Sequence, residues 1–212
     1  MSDLSTYSGL TFFGAVTASV SHELKNRLAI VNEQAGLLED LVFMSERGGG
    51  HPDPNRLAKL AKSLKKQVAL GDDLLRHMNR FAHSVDAPTG DTDIAALLEC
   101  VAALVRRTAD RRQVSLDLQV PATPPMAHTS AFLLMQLMWF FLDAAMGQGL
   151  PARALSLCCE KAPEGVVISI AGALADDDLD KAISAATDLL GSLGATVTRV
   201  PEPPALRLVL PA

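Results

Sequence analysis

Apolar residues recur at steps of three and four along the first part of the chain, from about Ser8 to Arg47, and no proline interrupts them. This spacing places them on one side of an α-helix, so the pattern predicts one long amphipathic helix. A loop rich in helix-stopping residues ends the pattern. The apolar positions are Phe13, Val16, Val20, Leu24, Leu28, Val31, Leu38 and either Leu41 or Val42, and the stop residues are Gly48, Gly49, Gly50, Pro52 and Pro54.

A second amphipathic helix is predicted from about Asn55 to Val85, and with the first it forms an antiparallel hairpin. A lone hairpin leaves much of both apolar stripes exposed. Burial of apolar surface at ~25 cal/mol per Å² therefore favours pairing two hairpins in a dimeric four-helix bundle. The alternative is that the stripes pack on the C-terminal domain of the same chain. The apolar positions of this helix are Leu57, Leu60, Leu64, Val68, Leu74 or Leu75, Met78 and Phe81.

After a turn-rich linker, Asp86 to Gly90, strands and helices are intermixed, which predicts an α/β sandwich. Strict alternation of apolar and polar residues marks the first strand, Val114 to Val120. The predicted helices are Asp93 to Thr108, Ala131 to Met146 and Leu179 to Leu190, and the other strands are Ala154 to Cys159, Gly165 to Ile170, Ala195 to Val200 and Ala205 to Leu210.

The composition narrows the class of protein. With 212 residues and 49% hydrophobic residues, the chain can form a packed core in one or two domains. Acidic residues outnumber basic ones by 24 to 19, so nucleic acid is not an expected partner. The N-terminus has no basic cluster ahead of an apolar run, so we expect no signal peptide. The most apolar stretch, Ala131 to Met146, is shorter than the ~20 residues of a membrane span. We therefore expect a cytoplasmic protein that makes no membrane contact.

The three cysteines, Cys100, Cys158 and Cys159, form an odd set without metal-ligand spacing. Neighbouring residues on one strand point to opposite faces, so the adjacent pair does not suit a shared metal ion. We expect neither a disulfide framework nor a zinc site, which fits a reducing compartment.

The first helix carries a candidate nucleophile, His22. At about 100° per residue, His22 lies roughly 175° from the mean direction of the apolar stripe, so its side chain is expected to face water. Asn26, Glu33 and Asp40 lie near the same side. A neutral imidazole is a good nucleophile at near-neutral pH. The position predicts an accessible reactive group on a polar surface.

The neighbours of His22 suit a phosphoryl-transfer role. Glu23 is a candidate to fix the imidazole tautomer or take a proton, while Lys25 and Arg27 are candidates to offset phosphoryl charge and to bind a partner. The other histidines lack such an arrangement. We interpret them as surface or capping residues: His51 in the glycine and proline loop, His77 and His83 on the second helix, and His128 in a proline-rich turn.

The segment from His22 to Asn26, followed by Leu28, resembles the H-box of two-component sensor histidine kinases, a motif of the form His-Glu-aliphatic-basic-Asn/Thr-Pro-Leu. The resemblance implies that His22 is the phosphoacceptor and that Glu23 is the acid/base that assists phosphorylation. Asn26 matches the position that orients water against a phospho-aspartate in phosphatase-competent members. Arg27 stands where the family usually has proline, and because it keeps its backbone N–H the helix need not bend there.

The C-terminal half resembles the ATP-binding domain of the same family but departs from its nucleotide motifs. The helix from Ala131 to Met146 resembles the N-box helix, yet Trp139 and Asp143 stand where that box has asparagines. Indole offers a metal no acceptor, whereas Asp143 retains carboxylate oxygens. The family also has an Asp-x-Gly-x-Gly turn whose aspartate recognises adenine. In this chain the position of that aspartate is occupied by Ala171. The family has a glycine-rich lid over the phosphates after this turn, and here an acidic run, Asp176 to Asp178, stands in its place. These carboxylates would repel a triphosphate unless cations bridged the two.

Together these features predict a helical region followed by an α/β region, with residues 1–87 forming a dimerisation and phosphotransfer hairpin and residues 88–212 a degenerate ATP-binding domain. The resemblance implies a histidine phosphotransfer protein that shuttles a phosphoryl group between response-regulator receiver domains through His22. We expect this chain to bind no cofactor, the receiver to bring Mg²⁺, and ATP-dependent autophosphorylation to be absent. Two alternatives remain: a regulator or phosphatase that docks response regulators, and a histidine kinase with a divergent ATP site.

Overall fold

The computed structural model describes residues 9–48, 51–147, 153–172 and 176–211. Two long helices come first, α1 (Gly9–Gly48) and α2 (Pro54–His83). They confirm the two predicted N-terminal helices to within two residues at each end. Among the described residues, no helix is long and apolar enough to cross a membrane.

Helix α2 starts one residue earlier than predicted, because Pro54 begins the helix instead of stopping one. Proline suits the first helical position, where its missing N–H would have had no partner. Asp53 precedes it as the cap. Its carboxylate accepts a hydrogen bond from the Asn55 N–H at 2.9 Å, and its carbonyl accepts from the N–H groups of Arg56 and Leu57. These bonds satisfy N–H groups that lack partners within the first turn.

The contacts of the chain divide it into two compact units. Residues 17–78 form one, the hairpin unit. Within it Leu24 lies against Gly71, since a Cβ added to Gly71 would be 3.6 Å from Leu24 Cδ1. Because the chain reverses between α1 and α2, this pairing makes the two helices antiparallel, as predicted. A domain boundary between residues 87 and 88 stays a prediction.

The second unit comprises the described residues up to Val16 and from Asn79 onward. Its main sheet has five strands in the order β2-β4-β5-β7-β6, with β2 and β4 parallel and the other pairs antiparallel. This mixed sheet with helices confirms the predicted α/β class. The elements are β1 (Gly90–Asp93), α3 (Ile94–Arg111), β2 (Val114–Gln119), β3 (Met126–Thr129), α4 (Ala131–Met146), β4 (Arg153–Ala162), β5 (Gly165–Gly172), α5 (Asp176–Ala185), α6 (Thr187–Leu193), β6 (Thr196–Val200) and β7 (Ala205–Pro211).

Two predicted details of this unit are wrong. The linker ends in strand β1, which pairs antiparallel with β3, so His128 lies in a strand and not in a turn. The single helix predicted from Leu179 to Leu190 is two helices that meet at Ala186. There the Thr187 hydroxyl donates to the Ser184 carbonyl at 2.8 Å, and such side-chain bonds to the backbone compete with helical hydrogen bonds.

The core of the α/β unit is centred on α4, which is buried around most of its circumference as its apolar composition predicts. Strands β4 and β7 contribute every second residue to the core, whereas the central strand β5 is buried at four consecutive residues, Gly165 to Ile168. The fully buried side chains of α4 are Leu134, Leu137, Met138, Phe141, Leu142, Ala145 and Met146, and those of the two strands include Leu155, Leu157, Leu206, Leu208 and Leu210.

An aromatic cluster joins the first turns of α1 and the last turn of α2 to α4 within the α/β unit. The Phe12 ring meets those of Phe81, Phe132 and Trp139, with centroids 5.3, 5.6 and 5.9 Å apart. Phe12 and Phe81 are 1% and 0% exposed. The alternative that the apolar stripes pack on the C-terminal domain is therefore correct for these helix ends.

Candidate functional site

His22 is exposed on α1, inside the hairpin unit. The neighbouring residues Val20 and Leu24 are buried and half-buried, respectively, and thus occupy the packed side of the helix. The structure places the imidazole away from that side, as the periodicity predicts. A partner molecule can reach the ring without unfolding any part of the hairpin.

The surface around His22 is polar. Asn26, one turn further along α1, is exposed, and so are Lys25, Glu33 and Asp40. Because residues three and four apart are neighbours on a helix, Lys25 and Asn26 border the imidazole directly. The face thus combines a nucleophilic ring with a cation and an amide that can donate or accept a hydrogen bond.

Glu23 and Arg27 are paired with each other. Arg27 Nη2 donates to Glu23 Oε1, one helical turn away, and both side chains are 21% exposed. Arg27 Nε is buried and makes no hydrogen bond to a described residue. Helix α1 runs without a break through Arg27, which fits an ordinary residue at the position where the resembled family has proline. The acid/base role of Glu23 and the partner-binding role of Arg27 stay predictions, and this pair neutralises the charge of each.

Three of the other histidines lie beside carboxylates. His83 Nδ1 is 2.7 Å from Asp86 Oδ2 just beyond the end of α2, and His128 Nδ1 is 3.0 Å from Asp91 Oδ1 across the small sheet. The His77 ring is 3.7 Å from a carboxylate one turn earlier on α2. These contacts suit structural surface roles. His51 is exposed in the loop between the two long helices.

The two positions of α4 that match the N-box asparagines serve packing. Trp139 is half-buried and meets Phe12 edge to face. The Asp143 carboxylate is held by Arg112, whose Nη2 lies 2.8 Å from Asp143 Oδ1. A cation would have to displace this guanidinium to use the carboxylate. The donor set that a bound Mg²⁺ nucleotide requires is not formed by these residues.

Arginine side chains cap the C-terminus of α4. Arg112 Nη1 donates to the Asp143 carbonyl at 2.7 Å, and Arg153 Nη2 donates to the carbonyls of Ala145 and Met146. The Gly147 N–H donates to the remaining carbonyl of the last turn, that of residue 144. Burial, together with the neighbouring Arg112 charge, lowers the pKa of Arg153. Sequence reasoning missed both arginines, since no local pattern links them to a helix end.

The end of β5 occupies the place of the adenine-recognising turn. Ala171 pairs with Ser156 on one side and Ala205 on the other, and its methyl group has no acceptor for an adenine amino group. Gly172 has φ +132°, and a Cβ there would lie 2.4 Å from the Ala154 carbonyl oxygen. Packing alone therefore requires this glycine. The side chains of the acidic run from Asp176 to Asp178 lie outside the described residues.

The cysteines are all free thiols. Burial raises the pKa of Cys100 to about 11, and burial with the neighbouring Cys158 and Asp93 raises the pKa of Cys159 to about 11. Among the described residues no group of three or more metal-ligating side chains is formed. Buried thiols of raised pKa, such as those of Cys100 and Cys159, are poor nucleophiles.

No known protein-family profile and no curated protein sequence matches the chain. Among solved structures, the nucleotide-free catalytic domain of the histidine kinase ThkA matches 59% of this chain and 96% of its own, with a TM-score of 0.50 and 8% identity. The histidine kinase AdeS of Acinetobacter baumannii matches 90% of this chain and 97% of its own, with a TM-score of 0.47 and 17% identity. A structure described as a bacterial phosphotransferase matches 96% and 97%, with a TM-score of 0.48 and 12% identity.

The ThkA likeness shows a shared fold and nothing more. At 8% identity it carries no information on the reaction that this chain performs. The mixed sheet packed against α3 and α4 is the part of the chain in which a catalytic-domain fold is expected. The helical region that precedes it holds the exposed histidine. The matched 59% of the chain therefore has the fold of a histidine-kinase catalytic domain. In the chain as a whole, an α-helical N-terminal region is followed by a mixed α/β domain.

Proposed function

We propose that the chain is a histidine phosphotransfer protein that carries a phosphoryl group on His22 between aspartates of response-regulator receiver domains. The observation that carries the proposal is the exposed imidazole on the polar face of α1, in a sequence context that resembles an H-box. Phosphoryl transfer between two proteins asks mainly for an accessible nucleophile and a surface that positions the reactants. The hairpin supplies both.

The proposed step forms a P–N bond and breaks a P–O bond. A ring nitrogen of His22 attacks the phosphorus of a receiver phospho-aspartate with its lone pair, and the aspartate carboxylate leaves with the electrons of the P–O bond. The other ring nitrogen keeps its proton throughout, so no base has to act first. The Glu23 carboxylate can then remain paired with Arg27 during transfer. The receiver brings Mg²⁺ to offset the charge of the moving group.

We infer that the α/β domain takes no direct part in this chemistry. Of the three family positions that would contact nucleotide or its metal, Trp139 packs on Phe12, Asp143 is paired with Arg112, and Ala171 has no polar side chain. The proposal therefore assigns the source of the phosphoryl group to another protein.

A homodimer is part of the proposal. The hairpin unit exposes large apolar side chains, which a soluble monomer tends to bury. Leu28 and Val42 on α1 are 59% and 54% exposed, and Val68 and Leu75 on α2 are 61% and 48% exposed. Leu28 and Val42 are fourteen residues apart and Val68 and Leu75 are seven apart, which are two and one heptads of the repeat by which helices pack in bundles. Pairing two hairpins through these residues would bury them in a four-helix bundle.

Transfer from a phosphorylated receiver tests the proposal. The chain is incubated with purified receiver domains that have been labelled by radioactive acetyl phosphate, and the label on this chain is followed. We expect an acid-labile label that is lost in His22→Ala and retained in His51→Ala, a matched exposed histidine on the same unit. Release of free phosphate without labelling of the chain would instead identify a phosphatase, for which Asn26 is placed one turn from His22.

A histidine kinase with a divergent ATP site is the second candidate, because the chain shares the fold of a kinase catalytic domain over 59% of its length. It differs from the relay in needing no second protein. Incubation of the purified chain with labelled ATP and Mg²⁺ distinguishes the two. Labelling of His22 in this mixture would replace the relay with the kinase.

A further inference from the structure

The ion pair between Glu23 and Arg27 holds a carboxylate away from its sequence neighbour His22. At about 100° per residue, Glu23 lies about 100° and Arg27 about 140° round α1 from His22. His22 is exposed, whereas the side chains of the pair are each only 21% exposed. The pair thus lies toward the packed side of the helix, and the bond to Arg27 draws the carboxylate further round in that direction.

The two members of the pair depend on each other. Arg27 Nη2 donates to Glu23 Oε1, while Arg27 Nε is buried and has no hydrogen-bond partner among the described residues. The Glu23 carboxylate has no second ion pair or hydrogen bond within the described part of the chain. Separation would leave both charges half-buried and unpaired, which is unfavourable. Each residue therefore keeps the other in place.

Asn26 lies between His22 and Glu23 on the surface of α1. It follows His22 by four residues and Glu23 by three, so it borders both on the helix. Its exposed amide can donate a hydrogen bond to a water molecule or accept one from it. A water held there lies beside the imidazole, and a Glu23 carboxylate released from Arg27 can reach it.

Such a water can replace His22 as the nucleophile. Its oxygen attacks the phosphorus of a receiver phospho-aspartate, the P–O bond to the aspartate breaks, and the aspartate carboxylate leaves with the electron pair. The proton of the water passes to the Glu23 carboxylate, and inorganic phosphate is released. Because water must lose a proton in this reaction, hydrolysis needs a base, whereas transfer to His22 needs none.

We propose that Arg27 is a positioning residue that withholds the Glu23 carboxylate from this hydrolysis, so that a phosphoryl group bound for His22 is transferred and not lost to water. This inference rests on the proposed function, which supplies the receiver phospho-aspartate. Proline, the residue that the resembled family usually has at this position, offers no side-chain donor to a carboxylate. The restraint on Glu23 therefore comes from the arginine of this chain.

Four variants test the restraint. Arg27→Met releases Glu23 and keeps an unbranched, helix-forming side chain at this half-buried position. Arg27→Ala is measured alongside it, so that the test does not depend on the folding of one variant. Arg27→Lys keeps a cation four residues from Glu23 and is the conservative variant. The matched control is Arg76→Met, which breaks the ion pair of Arg76 with Asp73 on α2 of the same unit.

The measurement separates hydrolysis from transfer. Receiver domains are labelled with radioactive acetyl phosphate, freed of the excess reagent and mixed with each variant, and both free phosphate and label on the chain are followed in time. We expect Arg27→Met and Arg27→Ala to release free phosphate about tenfold faster than the wild type, less than the ~10²–10⁴-fold that a base in a dedicated site contributes. Arg27→Lys and Arg76→Met should match the wild type.

A second substitution at Glu23 separates positioning from a purely structural role. Glutamine keeps the shape of glutamate but takes up no proton, so Glu23→Gln combined with Arg27→Met should return the release of phosphate to the wild-type rate. His22→Ala combined with Arg27→Met should still release phosphate, because water and not imidazole is the nucleophile. A gain that survives Glu23→Gln would reflect altered helix packing and would overturn the inference.

The relay and this inference fail by different results. A wild-type chain that takes no label defeats the relay, but a Glu23-dependent gain in phosphate release by Arg27→Met still supports the role of Arg27. Equal release by the wild type and both Arg27 variants overturns the inference, whether or not His22 is labelled. So does rapid release by the wild type that Glu23→Gln abolishes, since the paired Glu23 would then already act as the base.

Discussion

Replacement of Arg112 by Met tests whether arginine caps hold the end of α4. The substitution keeps an unbranched apolar chain and removes the guanidinium from two partners, the carbonyl and the carboxylate of Asp143. Arg112 is 16% exposed and the Asp143 side chain 41%. The bond to the helix-terminal carbonyl, in a largely dry environment, contributes about 1.5 kcal/mol. The ion pair, screened by solvent around the carboxylate, contributes about 0.5 kcal/mol.

We therefore expect Arg112→Met to lower the free energy of unfolding by about 2 kcal/mol, or the melting temperature by about 4–8 °C for a chain of this size. Urea unfolding followed by the fluorescence of Trp139, the single tryptophan, reports directly on α4. Asp143→Ala leaves the carbonyl bond intact and is expected to cost only about 0.5 kcal/mol. Arg106→Met, at an exposed position of the adjoining α3, is the control. A loss below 0.5 kcal/mol for Arg112→Met, or one equal to that of the control, would refute the capping argument.

Three further predictions concern the α/β unit. Phe81→Ala should lower the free energy of unfolding in urea by about 3–5 kcal/mol and Phe81→Leu by about 1.5 kcal/mol, because Phe81 is fully buried against Phe12 and Phe132. Equal losses in the two variants would contradict the role of ring packing. The raised pKa of Cys100, about 11 against 9.0, means that the unfolded thiol ionises first, so the free energy of unfolding should fall from pH 9 to pH 11. That fall should be shallower in Cys100→Ala, and parallel pH profiles would count against it. Gly172→Ala should lower the free energy of unfolding by at least about 2 kcal/mol, because a Cβ there meets the Ala154 carbonyl oxygen. Gly191→Ala, in a helix with open space around it, should raise it slightly. Similar melting temperatures for the two variants would show that the strand tolerates a Cβ at Gly172.

The helices of the hairpin and α4 could be predicted from the sequence because their signals are local. An apolar stripe that repeats over about ten helical turns predicts a helix even where single positions depart from the pattern. Helix α4 is almost uniformly apolar, and its predicted and observed ends coincide. Strands β1 and β3 could not be predicted in this way. Each has four residues, and what makes them strands is their pairing across more than thirty residues, including Asp91 with His128.

The candidate site shows the same difference between local sequence signals and contacts that are distant along the chain. His22 and its exposed neighbours are contiguous or one turn apart, so the helical period alone indicated their shared face. The Glu23–Arg27 pair also has a local signal that was missed, since acid and base four residues apart on a helix are expected to pair. By contrast, Arg112 contacts a carbonyl 31 residues away, and no spacing rule reaches that far.

Three positions of the α/β unit show how contacts within the unit stabilise its fold. Trp139 completes the aromatic cluster with Phe12, Asp143 anchors the guanidinium that caps α4, and Gly172 gives the Ala154 carbonyl room to approach. Each residue thus has a packing partner within the unit itself. The proposed relay would require no more of it, because the reacting groups in that proposal are His22 and an aspartate of the receiver.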